Sequence, residues 1–213
     1  MLTELNAPNA WVFRIVHVKN VPWILDNGLH CRNSKAVDKN FVQIGNAGLI
    51  DGRHYRTIKG PYGGTLSDYV PFYFTPLSPM FYNIKTGWHG IQQRTNQEIA
   101  ILVASLRDVK KALHPFVFTD RHAYLQAAQV FDDLNHLDKI DWTILQRRDF
   151  KRDPENPEKV ERYEAEALMY KHLPFDALCE VACCDAQSAA ALQEELTKRN
   201  LALKVTTKPG WYF

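Results

Sequence analysis

The order of its strand-like and helix-like stretches constrains this chain more than any single motif does. Residues 11–17 (WVFRIVH), 69–74 (YVPFYF), 99–105 (IAILVAS) and 115–119 (PFVFT) are rich in β-branched and aromatic residues and read as strands, 99–105 being the cleanest buried one. Helical signals interrupt them irregularly. Asn20 opens a short helix with Pro22 in its first turn and Gly28 at its close, and LRDVKKAL starts another. In DRHAYLQAAQVFDDLNHL the residues Leu125, Ala128, Val130 and Leu134 fall roughly on one side, which predicts an amphipathic helix. Strand character returns in EAEALMYKHLPF and LCEVACC, Asp185 caps a helix over DAQSAAALQEELTKR, and LALKVTT closes the sheet. Without regular βαβ alternation the order favours an α+β fold over a doubly wound sheet. Pro71 cannot donate to a ladder, so 69–74 is expected at an edge, a bulge or a strand start.

Between Arg32 and Gly64 the hydrophobic periodicity disappears, and Gly, Asn, Asp and Lys accumulate before GPYGG. A loop of ~30 residues in a compact domain tends to be functional or mobile, and this one is expected to cover a site. The 213 residues, 46% apolar and 23% charged, suit one soluble domain spanning 1–213. The first residues lack a signal-peptide pattern, and no run approaches ~18 apolar residues, so a cytoplasmic location without membrane attachment is expected. Cys31, Cys179, Cys183 and Cys184 have neither zinc-site nor disulfide spacing and read as reduced thiols; no metal is expected.

A net charge of +2 predicts no polyanion partner by itself. Locally, Arg147, Arg148, Lys151 and Arg152 oppose only Asp149, a run that could be a solvated loop or a binding patch. P-loop, GxGxxG, HExxH and GxSxG patterns are absent. Glu164 and Glu166 lie two apart and share a face if the segment is a strand. That face is either an exposed edge or a pocket wall, where a carboxylate could support an oxocarbenium-like transition state. Asp120 could cap a helix carrying His122 in its first turn, His17 reads as a core or hydrogen-bonded histidine, and Arg53 and Arg56 could be ordinary surface charges. Arg14 is unusual: a guanidinium within an apolar strand must meet a carboxylate, a phosphate or solvent.

Taken in order, DYVPFYFTPLSPMFY preceded by GG, then PFVFTDRH, then EAEALMYKHLPF, strongly resemble the DarT family of bacterial DNA ADP-ribosyltransferase toxins, over nearly the whole chain. The resemblance implies an ADP-ribosyltransferase-like fold, two facing, mainly antiparallel sheets around an NAD cleft, and transfer of ADP-ribose from NAD to a base in single-stranded DNA. It makes Glu166 the catalytic glutamate, places Arg53 in the loop before the aromatic strand, and matches His122 to the histidine of TDRH. Residues 40–58 correspond to the loop that closes over NAD, and 122–166 to the substrate-reading loop. NAD contacts are expected from Phe13, Arg14, Ile15, His17, Pro22, Gly28, Arg53, Tyr73 and His122. Ser78, Met80 and Tyr82, with the cluster Arg147, Arg148, Lys151 and Arg152, are expected to meet DNA. Where the family often has HxTH in its first strand this chain has RIVH, so Arg14 replaces a histidine that helps hold NAD; Leu77 replaces a residue that is often basic. The departure suggests another branch of the family, with guanine slightly favoured over thymine.

In mechanistic terms, losing nicotinamide leaves a cationic ribose, so Glu166 is expected at the ribose 2′-hydroxyl, with Arg53 holding NAD near the reacting centre. Removal of a base proton by Arg53 would require an unusual environment, because a guanidinium stays protonated. The family also implies an antitoxin that removes ADP-ribose from DNA. Two other readings stay open: an ADP-ribosyltransferase acting on RNA or protein, and an inert single-stranded nucleic-acid-binding module with aromatic stacking.

Overall fold

The computed structural model describes residues 2–213. In chain order the elements are β1 (Trp11–His17), α1 (Val21–Asn27), β2 (Leu29–His30), α2 (Ala47–Gly52), β3 (Tyr69–Tyr73), α3 (Pro79–Thr86), β4 (Ile99–Ser105), α4 (Leu106–Lys111), β5 (Phe116–Thr119), β6 (Val130–Phe131), α5 (Trp142–Arg147), α6 (Lys159–Tyr163), β7 (Glu166–Tyr170), β8 (His172–Leu173), β9 (Glu180–Cys183), α7 (Ala186–Lys198) and β10 (Lys204–Thr207). Among the described residues, eight strands form one sheet in the order β10-β9-β4-β1-β3-β7-β5-β6, and β2 pairs with β8 in a second, small one. All pairs are antiparallel except the terminal β9–β10 pair, which the α7 crossover makes parallel. No helix among the described residues is long and apolar enough to cross a membrane.

The large sheet is divided in the middle. β1 pairs with β4 along all seven of its residues, yet meets β3 at a single position, Phe13 opposite Tyr73. β3 in turn pairs with β7 along its whole length. Two four-strand halves are therefore joined by one register pair and separate beyond it. Pro71 explains part of this. It lies in the middle of an interior strand rather than at the edge, bulge or strand start that its missing N–H suggested, but the side of the chain it cannot pair is the side where β1 has moved away. Its carbonyl oxygen accepts from Arg14 Nη1 at 2.7 Å, so a side chain takes the place of ladder bonding.

Every residue of β4 is buried, as its uninterrupted apolar run requires. β3 contributes Tyr69, Val70 and Phe72 to the core, with Phe74 following. At the far edge, Asp185 accepts from the Ser188 N–H and caps α7. The predicted helix over 120–137 does not form. Val130 and Phe131 instead pair as β6 with Thr119 and Phe118 of β5, and Asp120 Oδ1 accepts from the Gln129 N–H at 2.8 Å, closing 120–129 into a loop. Burial of Phe131 against Phe118 overrides a weak helical period. Only a 3₁₀ turn over Leu134–Lys139 remains of the helical signal.

Candidate active site

The site lies where the two half-sheets part. Glu166 opens β7, directly across from Tyr73 of β3, and is completely buried. β7 is an interior strand, which excludes an exposed-edge role for this carboxylate. Glu164 does not share the strand. It ends the turn after α6 and reaches the same cavity from there, so the two glutamates meet for a different reason than strand periodicity.

Arg53 comes from the long segment between β2 and β3, at the C-terminal cap of α2. Its Nη1 donates to Glu166 Oε1 at 3.2 Å, its Nη2 lies 2.9 Å from Oε2, and the side chain is 15% exposed. The backbone N–H of Ala123 donates to Oε1 at 3.1 Å, and His122 Nε2 is 3.9 Å from the same oxygen. Burial alone would raise the Glu166 carboxyl. The Arg53 guanidinium, His122 and the Ala123 N–H outweigh it and hold the group below its ordinary range, so it is ionised. Burial, reinforced by Arg53, lowers the His122 imidazole and keeps it neutral at pH 7 despite Glu166.

From the segment between β2 and β3, residues Phe41 to Asn46, Leu49, Ile50 and Arg53 line a cavity of about 220 Å³, whose other walls include Arg14, Tyr73, Met80, His122, Glu164 and Glu166. A second cavity of about 300 Å³ adjoins it and shares Arg14, Val16, Phe41, Gln43, Ile50, Arg53 and Pro71. Together they reach the usual range of small-molecule sites, ~300–1,000 Å³, with two guanidiniums at the waist. Burial, and then the charge of Arg53, lower the Arg14 guanidinium to about 10, which still leaves it cationic. The segment is fastened by Asn20. Its amide donates to the Val42 carbonyl at 2.9 Å and accepts from the Val42 N–H at 2.8 Å. Sequence reasoning treated Asn20 as the cap of α1, but its side chain makes no capping bond; a buried amide facing a loop carries no local sequence signal.

Of the other expected NAD contacts, Ile15 and Tyr73 line the first cavity. Phe13, His17, Pro22 and Gly28 line neither cavity. Phe13 packs edge-on against Trp211, and His17 Nδ1 accepts from the Lys19 N–H while Nε2 lies 3.5 Å from Glu98. Pro22 sits in the first turn of α1. Gly28 turns α1 into β2 with φ of +74°, and a Cβ there would lie 2.6 Å from the Leu173 carbonyl oxygen.

The expected DNA contacts divide likewise. Ser78 is buried and caps α3 by accepting from the Phe81 N–H, which leaves it no surface to offer a strand. Met80 lines the cavity, while Tyr82 is 42% exposed and meets Phe150 edge-on. Phe150 lies inside the basic run, so α3 brings Arg147, Arg148, Lys151 and Arg152, all exposed, into the neighbourhood of Tyr82. Asp149 is engaged by Lys159 at 2.9 Å, which reduces the only acidic charge within the run. The four cysteines are free thiols, and no cluster of His, Cys, Asp or Glu among the described residues is placed to hold a metal ion.

Comparison with known proteins agrees with this geometry. Residues 13–213 match the family model described as "DarT: ssDNA thymidine ADP-ribosyltransferase, DarT". A DNA ADP-ribosyl transferase of Escherichia coli O127:H6 is 51% identical over 210 residues, covering 99% of this chain and 96% of that protein. Among solved structures, Thermus sp. 2.9 DarT in complex with ADP-ribosylated ssDNA superposes with a TM-score of 0.88 at 31% identity, over 97% of each chain. The same Thermus protein in complex with NAD+ gives 0.83 at 31% identity, over 96% of this chain and 98% of that one. The chain belongs to the DarT family of DNA ADP-ribosyltransferases.

Proposed function

We propose that residues 1–213 act as one catalytic domain that transfers ADP-ribose from NAD to thymidine in single-stranded DNA, as the toxin of a cytoplasmic toxin–antitoxin pair. The observation that carries the reaction is the ionised, fully buried Glu166, held by Arg53 and the Ala123 N–H at the wall of a bipartite cleft. A dinucleotide has two halves joined by a diphosphate, and the cleft has two chambers with Arg14 and Arg53 between them. As the nicotinamide bond lengthens, positive charge grows on the ribose. A fixed carboxylate beside the 2′-hydroxyl stabilises that charge more than it stabilises the ground state. Unpaired DNA is the reasonable acceptor because a duplex hides the reactive edge of its bases. Tyr82 and the basic run then offer one ring for stacking and four charges for the backbone.

The choice of thymidine over guanine is supported by the description of the matched family model. The leaning toward guanine rested on Arg14 replacing a histidine, but Arg14 is tied to the Pro71 carbonyl between the half-sheets and lines both chambers, so that replacement does not by itself select a base. A base–ribose N-glycosidic adduct does not hydrolyse readily and blocks a template, so a cell keeping such an enzyme needs a partner that removes ADP-ribose from DNA. Incubation with NAD and single-stranded DNA, followed by mass spectrometry of released nucleosides, is expected to give ADP-ribosyl thymidine. ADP-ribosyl guanosine would reassign the base. Label that resists nuclease but yields to protease would reassign the acceptor to protein.

A further inference from the structure

When a ring nitrogen of a base bonds to ribose it must lose its proton, and neither Arg53 nor Glu166 is placed to take it; His122, whose Nε2 lies 3.9 Å from Glu166 Oε1, is the weaker alternative because burial lowers its basicity. Arg53 has no lone pair to offer and is engaged in its ion pair with Glu166. Glu166 has Oε1 engaged by Arg53 and the Ala123 N–H, and Oε2 facing the second guanidinium nitrogen. Glu164 differs from both. It lines the same cavity, and among the described residues its carboxylate makes no hydrogen bond or ion pair with the protein. From the turn between α6 and β7 it reaches the cavity that Glu166, Met80 and Tyr124 also line.

We infer that Glu164 is the general base that accepts the proton from the acceptor's N–H as that nitrogen attacks the ribose of NAD. The inference rests on the proposed reading that a DNA base is the acceptor. In the step, the N–H bond breaks toward a Glu164 carboxylate oxygen and its electron pair forms the bond to ribose C1′. The C1′–nicotinamide bond breaks with its pair moving to the pyridinium nitrogen, which departs neutral, and the proton remains on Glu164.

The surroundings suit a base that works near neutrality. Glu166 on β7 and Glu161 on α6 present like charge to Glu164, whose own charge in turn reaches the Tyr73 hydroxyl of β3. Arg53 from the covering segment and His122 from the 120–129 loop direct their charge or polarity at Glu166, and Arg14 reaches the cleft from β1. Burial, followed by repulsion from Glu166 and Glu161, pushes the Glu164 carboxyl up to about 7. Burial and the two glutamates keep the Tyr73 hydroxyl protonated, so it does not compete as a base.

The test is single-turnover transfer to a thymidine-containing oligonucleotide at saturating NAD, measured from pH 5.5 to 9 for wild type, Glu164→Gln and Glu164→Ala. Wild-type rates are expected to rise through an apparent pKa near 7. Both variants are expected to lose about 10²–10⁴-fold and the rising limb with it. Added formate is expected to restore part of the Glu164→Ala rate, which a purely structural role would not allow. A Glu164→Gln rate within threefold of wild type with the limb intact, or a Glu164→Ala loss that formate leaves unchanged, overturns the assignment. Wild type that modifies no base in single-stranded DNA overturns the acceptor reading, and this inference with it.

Discussion

Two glutamates separated by one alanine are held in opposite protonation regimes, and the difference is entirely environmental. Both are buried, but Glu166 has a cation and a backbone donor to offset that, whereas for Glu164 burial is reinforced by two further carboxylates. Glu166→Gln keeps the shape but removes the charge that the developing ribose cation needs. DNA transfer should fall by about 10²–10³-fold while NAD still raises the melting temperature, which a thermal-shift titration beside the kinetic assay would check. Glu164 has a consequence independent of catalysis. Its folded carboxyl titrates near 7, above its unfolded value of 4.5, so its contribution to stability is complete below pH 4.5 and is lost as pH rises through 7. Glu164→Gln should therefore match wild type in stability near pH 4.5 and exceed it at pH 8 by on the order of 2 kcal/mol, read from denaturant midpoints. A constant difference across that range would remove the burial argument.

At the level of elements, the junction of α1 with β2 is the least tolerant turn. Gly28 combines a left-handed φ with backbone of β8 at contact distance, so Gly28→Ala should cost at least ~2 kcal/mol of stability, measurable as a lowered urea midpoint. The effect would be on folding, since the residue lines neither chamber. The legibility of the elements in the sequence follows the same physics. β1, β4 and β5 could be read because local composition and burial agree, and α7 because Asp185 caps it. The loop over 120–129 could not, since what defeats the helix is distant: Phe118 pairing with Phe131. Glu166, Arg53 and His122 converge from positions up to 113 residues apart. Asn20 and Glu164 required coordinates, because one is defined by a loop carbonyl and the other by its lack of a partner.

For the whole molecule, net charge says little and placement says more. The excess is only +2, yet four exposed basic residues gather near Tyr82. Each phosphate contact on a single strand contributes about 0.7 to the slope of log K against log salt. Changing Arg147, Arg148, Lys151 and Arg152 to Gln should weaken oligonucleotide binding and flatten that slope by up to ~3, measured by anisotropy across a salt series. An unchanged slope would place the DNA path elsewhere. The single Phe13–Tyr73 register pair has a mechanical consequence. A continuous ladder would make the sheet one stiff plate, but here the two halves are plates sharing a narrow hinge, each with its own complete pairing. Cleft width can then change by flexing at one position, without loosening either core or displacing Glu166 from its strand.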